Sequence, residues 1–122
     1  MKIGFDYDGT LTNPIIHDLY KILQKWTNIP NSCYKMYIIT NNPHIHAIMS
    51  ISDKIGDVTI ISTKDKAKII NIEKINLYFE DNPIEAKLLQ EQCPNCKVVL
   101  VDTSWYQVNK SGELITGIKL NH

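Results

Sequence analysis

Two aspartates, Asp6 and Asp8, follow a short apolar run, Lys2-Ile3-Gly4-Phe5, within the string Asp6-Tyr7-Asp8-Gly9-Thr10-Leu11-Thr12. The apolar run reads as a strand, and side chains two apart on a strand point to the same side. Both carboxylates should therefore leave the strand's end together. Ionised carboxylates that close repel, so one must hold a proton or a cation must sit between them. Gly9 lets the chain turn sharply and bring backbone N–H groups up to a bound group. An acidic turn after a strand would account for any one of these residues, since Asp and Gly favour turns. It does not account for the whole string.

Such a string needs elements that hold it, and the rest of the chain supplies them. Apolar runs of strand length recur at residues 3–5, 36–39, 58–61, 77–79 and 98–101. Between them lie segments of helical period. Ile15, Ile16, Leu19, Tyr20, Ile22, Leu23 and Trp26 form one apolar stripe, and Ile45, Ile48 and Met49 a second. Ala67, Ile69 and Ile70 belong to a third helix, and Ile84, Leu88 and Leu89 mark a fourth. Strands alternating with helices require crossovers, which predicts an α/β fold of three layers. Its mainly parallel, five-stranded, Rossmann-like sheet is covered on both faces, as the nearly all-apolar strands demand. Asn13-Pro14, Asn42-Pro43 and Asn82-Pro83 each suit a helix start, with Asn as cap and Pro at the first position. Strand ends that pass quickly to helix N-termini are where open α/β sheets bind ligands, anions above all. Residues 102–122 are less regular. Asn109-Lys110-Ser111-Gly112 reads as a turn, with residues 105–108 and 114–120 as a hairpin or edge strands.

Asp-x-Asp-Gly-Thr-Leu-Thr after an N-terminal strand resembles the first motif of the haloacid dehalogenase-like (HAD) phosphohydrolase superfamily. Further motifs of that family follow in order over roughly residues 1–102: Thr40-Asn41 after the second strand, a lysine after the third, and Glu80-Asp81 after the fourth. The resemblance implies a Mg²⁺-dependent phosphatase that hydrolyses a phosphate monoester through an aspartyl-phosphate. Asp6 is then the nucleophile and Asp8 the general acid and base. Thr40 and Lys66 hold phosphate oxygens, and Gly9, Thr10 and Asn41 contact substrate. Asp6, the Asp8 backbone carbonyl and Asp81 bind the metal. Lys64, Lys66 and Lys68 all stand near the third position; spacing to Glu80-Asp81 favours Lys66, with Lys64 second. Glu80 replaces an aspartate of the family pattern and either meets the metal through water or orients Lys66. Glu85 stands where a further acid could act, or on a solvated helix face. Four acids near one lysine call for a hard divalent cation with oxygen ligands, which selects Mg²⁺.

With 122 residues the chain suits a single domain, 1–122. The gaps after the first and third strands hold one helix each, too little for the cap domain that many members of that family carry. An open site suits a bulky phosphorylated substrate, such as a nucleotide or a nucleic-acid end, although a small molecule is also accommodated. Closure by a neighbouring subunit of a homo-oligomer is the alternative. Trp105 and Tyr106 stack a base or serve as core. Equal numbers of basic and acidic residues, 13 of each, argue against general polyanion binding. No apolar run is long enough to span a bilayer. Three cysteines without an export signal suggest the cytoplasm. Cys93-Pro94-Asn95-Cys96 reads as two reduced thiols in a turn, with zinc or redox pairing the rarer use; Cys33 reads as buried. Two rival functions fit a fold of this kind. One is a receiver-type phosphoacceptor module, whose acid pair, acceptor Asp and Lys occur in a different order. The other is a catalytically silent binding protein.

Overall fold

The structure, a computed structural model, describes residues 1–11, 13–27, 29, 31–44 and 58–101, with the backbone of 107–108 and 114–115. In chain order the elements are β1 (Lys2–Phe5), α1 (Pro14–Thr27), β2 (Lys35–Thr40), β3 (Val58–Ser62), α2 (Lys66–Glu73), β4 (Leu77–Glu80), α3 (Pro83–Gln92) and β5 (Lys97–Leu100). These strands form one five-stranded sheet in the order β3-β2-β1-β4-β5, and every neighbouring pair is parallel. The fold is thus α/β with a Rossmann-like sheet. The chain steps outward from β1 through β2 to β3, then returns to the far side of β1 for β4 and β5. That reversal opens a crevice beyond the carboxyl ends of β1 and β4.

The strands' period of two sorts their side chains onto opposite faces. Ile3, Phe5, Met36, Ile38 and Phe79 pack with Ile16, Tyr20 and Leu23 of α1. Tyr37, Ile39 and Tyr78 pack with Ala67 and Ile70 of α2 and Leu89 of α3 on the other face. Right-handed crossovers that run in opposite directions from β1 must place their helices on opposite faces, so the three layers follow from the strand order. Phe5 anchors the first face. It stacks on Phe79 at 4.9 Å between ring centroids and meets Tyr20 edge-on at 5.4 Å, contacts each contributing about 0.5–1.5 kcal/mol beyond their buried area. On the second face Gly4 leaves room for Tyr78: a Cβ there would stand 2.8 Å from the Tyr78 ring. Tyr78 thereby passes over β1, and its hydroxyl donates to the Ile39 carbonyl at 2.9 Å.

Several expectations are corrected. Ile22 and Trp26 of α1 are exposed, and the buried stripe contains Gln24 instead, whose amide donates to the Tyr20 hydroxyl at 3.0 Å. The predicted stripe was wider than the face one sheet can cover. Ile84 and Leu88 of α3 are also exposed, because α3 packs through Ala86 and Leu89. Cys33 is exposed in the approach to β2, while Cys93 and Cys96 are buried; all three are free thiols. Past β5, β6 (Gln107–Val108) and β7 (Leu114–Ile115) pair antiparallel, as the hairpin alternative requires. The expected helix with Ile45, Ile48 and Met49, together with Thr12, Trp105, Tyr106 and the 109–112 turn, lies outside the described residues. No helix among the described residues is long and apolar enough to cross a membrane.

Candidate active site

Asp6 is the first residue past β1 and donates its N–H to the Phe79 carbonyl of β4 at 3.0 Å. This bond fixes the base of its side chain between the two central strands, at the mouth of the crevice. Glu80 ends β4 beside it, and Lys66 opens α2. A helical Cα–Cβ bond tilts toward the helix N-terminus, so a lysine in that first position reaches back over the strand ends. Lys66 Nζ stands 3.0 Å from Asp6 Oδ1 and 3.1 Å from Glu80 Oε1. All three residues are buried, at 6% exposure for Asp6, 7% for Lys66 and 1% for Glu80. A cation at a helix N-terminus opposes the helix dipole. The paired carboxylates offset that cost, a local conflict of the kind that functional sites carry.

The charges do not balance. Two buried carboxylates share one ammonium, and a third acid, Asp81, completes a set whose ligand oxygens on Asp6, Glu80 and Asp81 lie within 4.8 Å of one another. Burial pushes the Asp6 carboxyl up to about 8; Lys66 opposes that rise and Glu80 adds to it. Burial also favours the neutral form of Lys66, but Asp6 and Glu80 outweigh it and hold its ammonium above the usual lysine range. The excess of acid calls for a proton or a cation. The donor set is all oxygen, which suits Mg²⁺ rather than a softer ion. The acids differ in availability. Glu80 Oε1 accepts from Lys66, while Oε2 accepts from the N–H groups of Asp81 and Asn82 at 3.1 and 3.4 Å. Both Glu80 oxygens are therefore engaged, so Glu80 orients Lys66 and the β4–α3 turn, leaving Asp6 and Asp81 better placed as direct ligands.

The loop from Tyr7 to Leu11 brings the remaining residues of the string. Gly9 has φ +76°, and a Cβ there would run into the Asp81 carboxylate, so only glycine lets this loop pass so close to the acid. Thr10 is buried, with its hydroxyl 3.5 Å from Asp81 Oδ1. Its side chain thus faces the acid. Asp8 is exposed and stands outside the three-acid set; its carboxylate accepts from Asn42 Nδ2 at 3.3 Å. Thr40, at the end of β2, is fully buried, and its hydroxyl oxygen accepts the Asn42 N–H at 3.0 Å, which leaves the hydroxyl proton to donate elsewhere. Lys64 and Lys68 are exposed, and of the three lysines Lys66 is the one that meets Asp6.

A cleft of about 260 Å³ is lined by Asp6, Asp8, Asn41, Lys66, Glu80, Asp81, Asn82 and Glu85; of the expected site residues, Gly9, Thr10 and Thr40 do not line it. Asn82 caps α3, accepting from the N–H groups of Ile84 and Glu85 at 3.0 and 3.2 Å. Asn82 and Asn42 are parts of the site that the sequence shows only as helix caps. Their second role depends on where a strand end points, which the Asn-Pro signal does not encode. No protein-family model, curated protein or solved structure matches this chain.

Proposed function

We propose that this chain is a Mg²⁺-dependent phosphatase of the HAD-like type, hydrolysing a phosphate monoester through an aspartyl-phosphate on Asp6. The observation that carries the reading is the position of Lys66 Nζ on Asp6 Oδ1 at 3.0 Å, with Asp81 converging from β4. It supports the resemblance of the Asp6–Thr12 string by supplying the charge that a phosphate-attacking carboxylate needs beside it.

With Oδ1 held by Lys66, Asp6 offers Oδ2 to phosphorus in line with the leaving oxygen. Asp8 gives that oxygen a proton as its bond to phosphorus breaks, then takes one from the water that cleaves the acyl-phosphate. Thr40 and Lys66 hold equatorial phosphate oxygens, Asn41 adds a donor at the cleft rim, and the Gly9–Thr10 backbone closes round the group. Asp6, Asp81 and the Asp8 carbonyl would hold Mg²⁺, which when bound spreads the negative charge of the transferring group. Between β1 and β2 the described residues carry the Tyr7–Leu11 turn and α1, and between β3 and β4 α2 alone. That supports a capless site open to a nucleotide, a nucleic-acid end or another bulky phosphoester. The three free thiols support a cytoplasmic setting.

The test is steady-state release of p-nitrophenol from p-nitrophenyl phosphate with Mg²⁺. Turnover that stops with EDTA and in Asp6→Asn supports the phosphatase. One stable phosphorylation without turnover marks a receiver module, and no reaction across nucleotides, phosphorylated oligonucleotides and sugar phosphates marks a silent binding protein.

A further inference from the structure

Asn42 follows Thr40 and Asn41 at the end of β2, and every polar group it has is engaged. Its N–H donates to Thr40 Oγ1 at 3.0 Å, and its carbonyl accepts from Ser62 Oγ at the end of β3 at 3.2 Å. Its side-chain Oδ1 accepts the His44 N–H at 2.8 Å. That last bond settles which end of the amide is oxygen, because a backbone N–H can only donate. Nδ2 is therefore the group that faces Asp8 Oδ2 at 3.3 Å, and it can only donate there. Asp8 is exposed, on a loop whose backbone turns at Gly9. An exposed carboxylate has rotamer freedom that must be given up before it can transfer a proton to a fixed point.

Resting on the phosphatase reading above, we propose that Asn42 is a positioning residue for Asp8. Its backbone is fixed to β2 and β3, its side-chain amide is fixed to the backbone at His44, and the amide holds the carboxylate by Oδ2. That bond favours the unprotonated oxygen at Oδ2, so a proton carried by Asp8 is directed to Oδ1. In the first step that proton passes from Asp8 Oδ1 to the ester oxygen as the P–O bond breaks and the bond from Asp6 Oδ2 to phosphorus forms. Asn42 does not touch the substrate in this scheme, and it meets Asp8 through the carboxylate rather than through the carbonyl that would face the metal. It decides which carboxylate oxygen of the acid is presented.

The need for a proton depends on the leaving group. p-Nitrophenolate departs readily as the anion, whereas phenolate, nearly the same shape, departs far less readily without a proton. The experiment compares kcat/KM for p-nitrophenyl phosphate and phenyl phosphate in wild type, Asn42→Asp and Asn42→Ala, with folding checked by thermal unfolding. Asn42→Asp keeps an acceptor for the His44 N–H and loses the amide donor, and Asn42→Ala loses both. General acid catalysis contributes roughly 10²–10⁴-fold, and misplacing the acid without removing it should cost about tenfold of that. Both variants are therefore expected to lose about tenfold on phenyl phosphate and less than about twofold on p-nitrophenyl phosphate. Equal losses on the two esters, or an Asn42→Asp protein that matches wild type on both, overturn the proposal while leaving the phosphatase reading in place. A wild-type protein inert toward both esters overturns the reading and this inference with it.

Discussion

Replacing Lys66 by Met keeps most of the side chain's length and removes its charge. Lys66 Nζ is the shared partner of Asp6 and Glu80, at 3.0 and 3.1 Å, and all three groups are buried. Taking one member from a buried ion pair costs roughly 3–5 kcal/mol, because the partner's charge is left in a poorly solvated place. For a chain of 122 residues, about 4 °C of melting temperature accompanies each kcal/mol. In EDTA near neutral pH the variant should thus melt roughly 12–20 °C below wild type. The sign of the pH dependence follows from the same contacts. Lys66 stabilises the ionised form of Asp6, whose carboxyl burial pushes up to about 8, so its contribution grows as Asp6 loses its proton and shrinks as Asp6 regains it. The gap between variant and wild type should widen as pH rises through about 8, from about pH 6 to about pH 9. Thermal unfolding followed by circular dichroism, at both pH values in EDTA, measures it. A fall below about 4 °C at neutral pH, or a gap that is equal or larger at acid pH, would refute the claim that this lysine balances the two buried carboxylates.

Further outcomes follow from the same site. Without metal, Asp6 has a folded-state value near 8 against 3.8 in the unfolded chain, so the folded state binds more protons between those limits. Its contribution therefore makes the metal-free protein less stable as pH rises through that window. Excess Mg²⁺ should flatten the decline, as should Asp6→Asn; a slope unchanged in Asp6→Asn would count against it. In Gly9→Ala the new methyl displaces the Asp81 carboxylate, and Mg²⁺ affinity by calorimetry should fall at least about tenfold. Unaltered affinity in a folded Gly9→Ala protein would remove Asp81 from the metal site.

The sheet was legible because each strand is a short apolar run that ends in polar residues, and alternation with helical segments admits few topologies. The same pattern misled at the helices. Seven apolar residues between Ile15 and Trp26 cannot all face one sheet, and the two that lose, Ile22 and Trp26, are identified only once α1's rotation is fixed by Ile16, Tyr20 and Leu23. Of the lysines near residue 66, the sequence does carry a deciding signal. Asp65 accepts the Lys68 N–H as the helix cap, which puts Lys66 in the first helical position. Read as a cap, Asp65 would have singled out Lys66 without the spacing argument. The division of labour between Glu80 and Asp81 was not legible, since neighbouring acids at a strand end look alike until one turns back to its own turn's N–H groups. Nor was the link from Asn42 to Asp8, which joins two loops through side-chain directions rather than through any local pattern.

The most direct measurement is to quench the protein during turnover of p-nitrophenyl phosphate with Mg²⁺, reduce any acyl-phosphate with borohydride, and locate the product by peptide mass spectrometry. Homoserine at position 6, absent when substrate is omitted, is the predicted result. Turnover with residue 6 unmodified, or undiminished turnover in Asp6→Asn, would contradict the assignment of Asp6 as the group that attacks phosphorus.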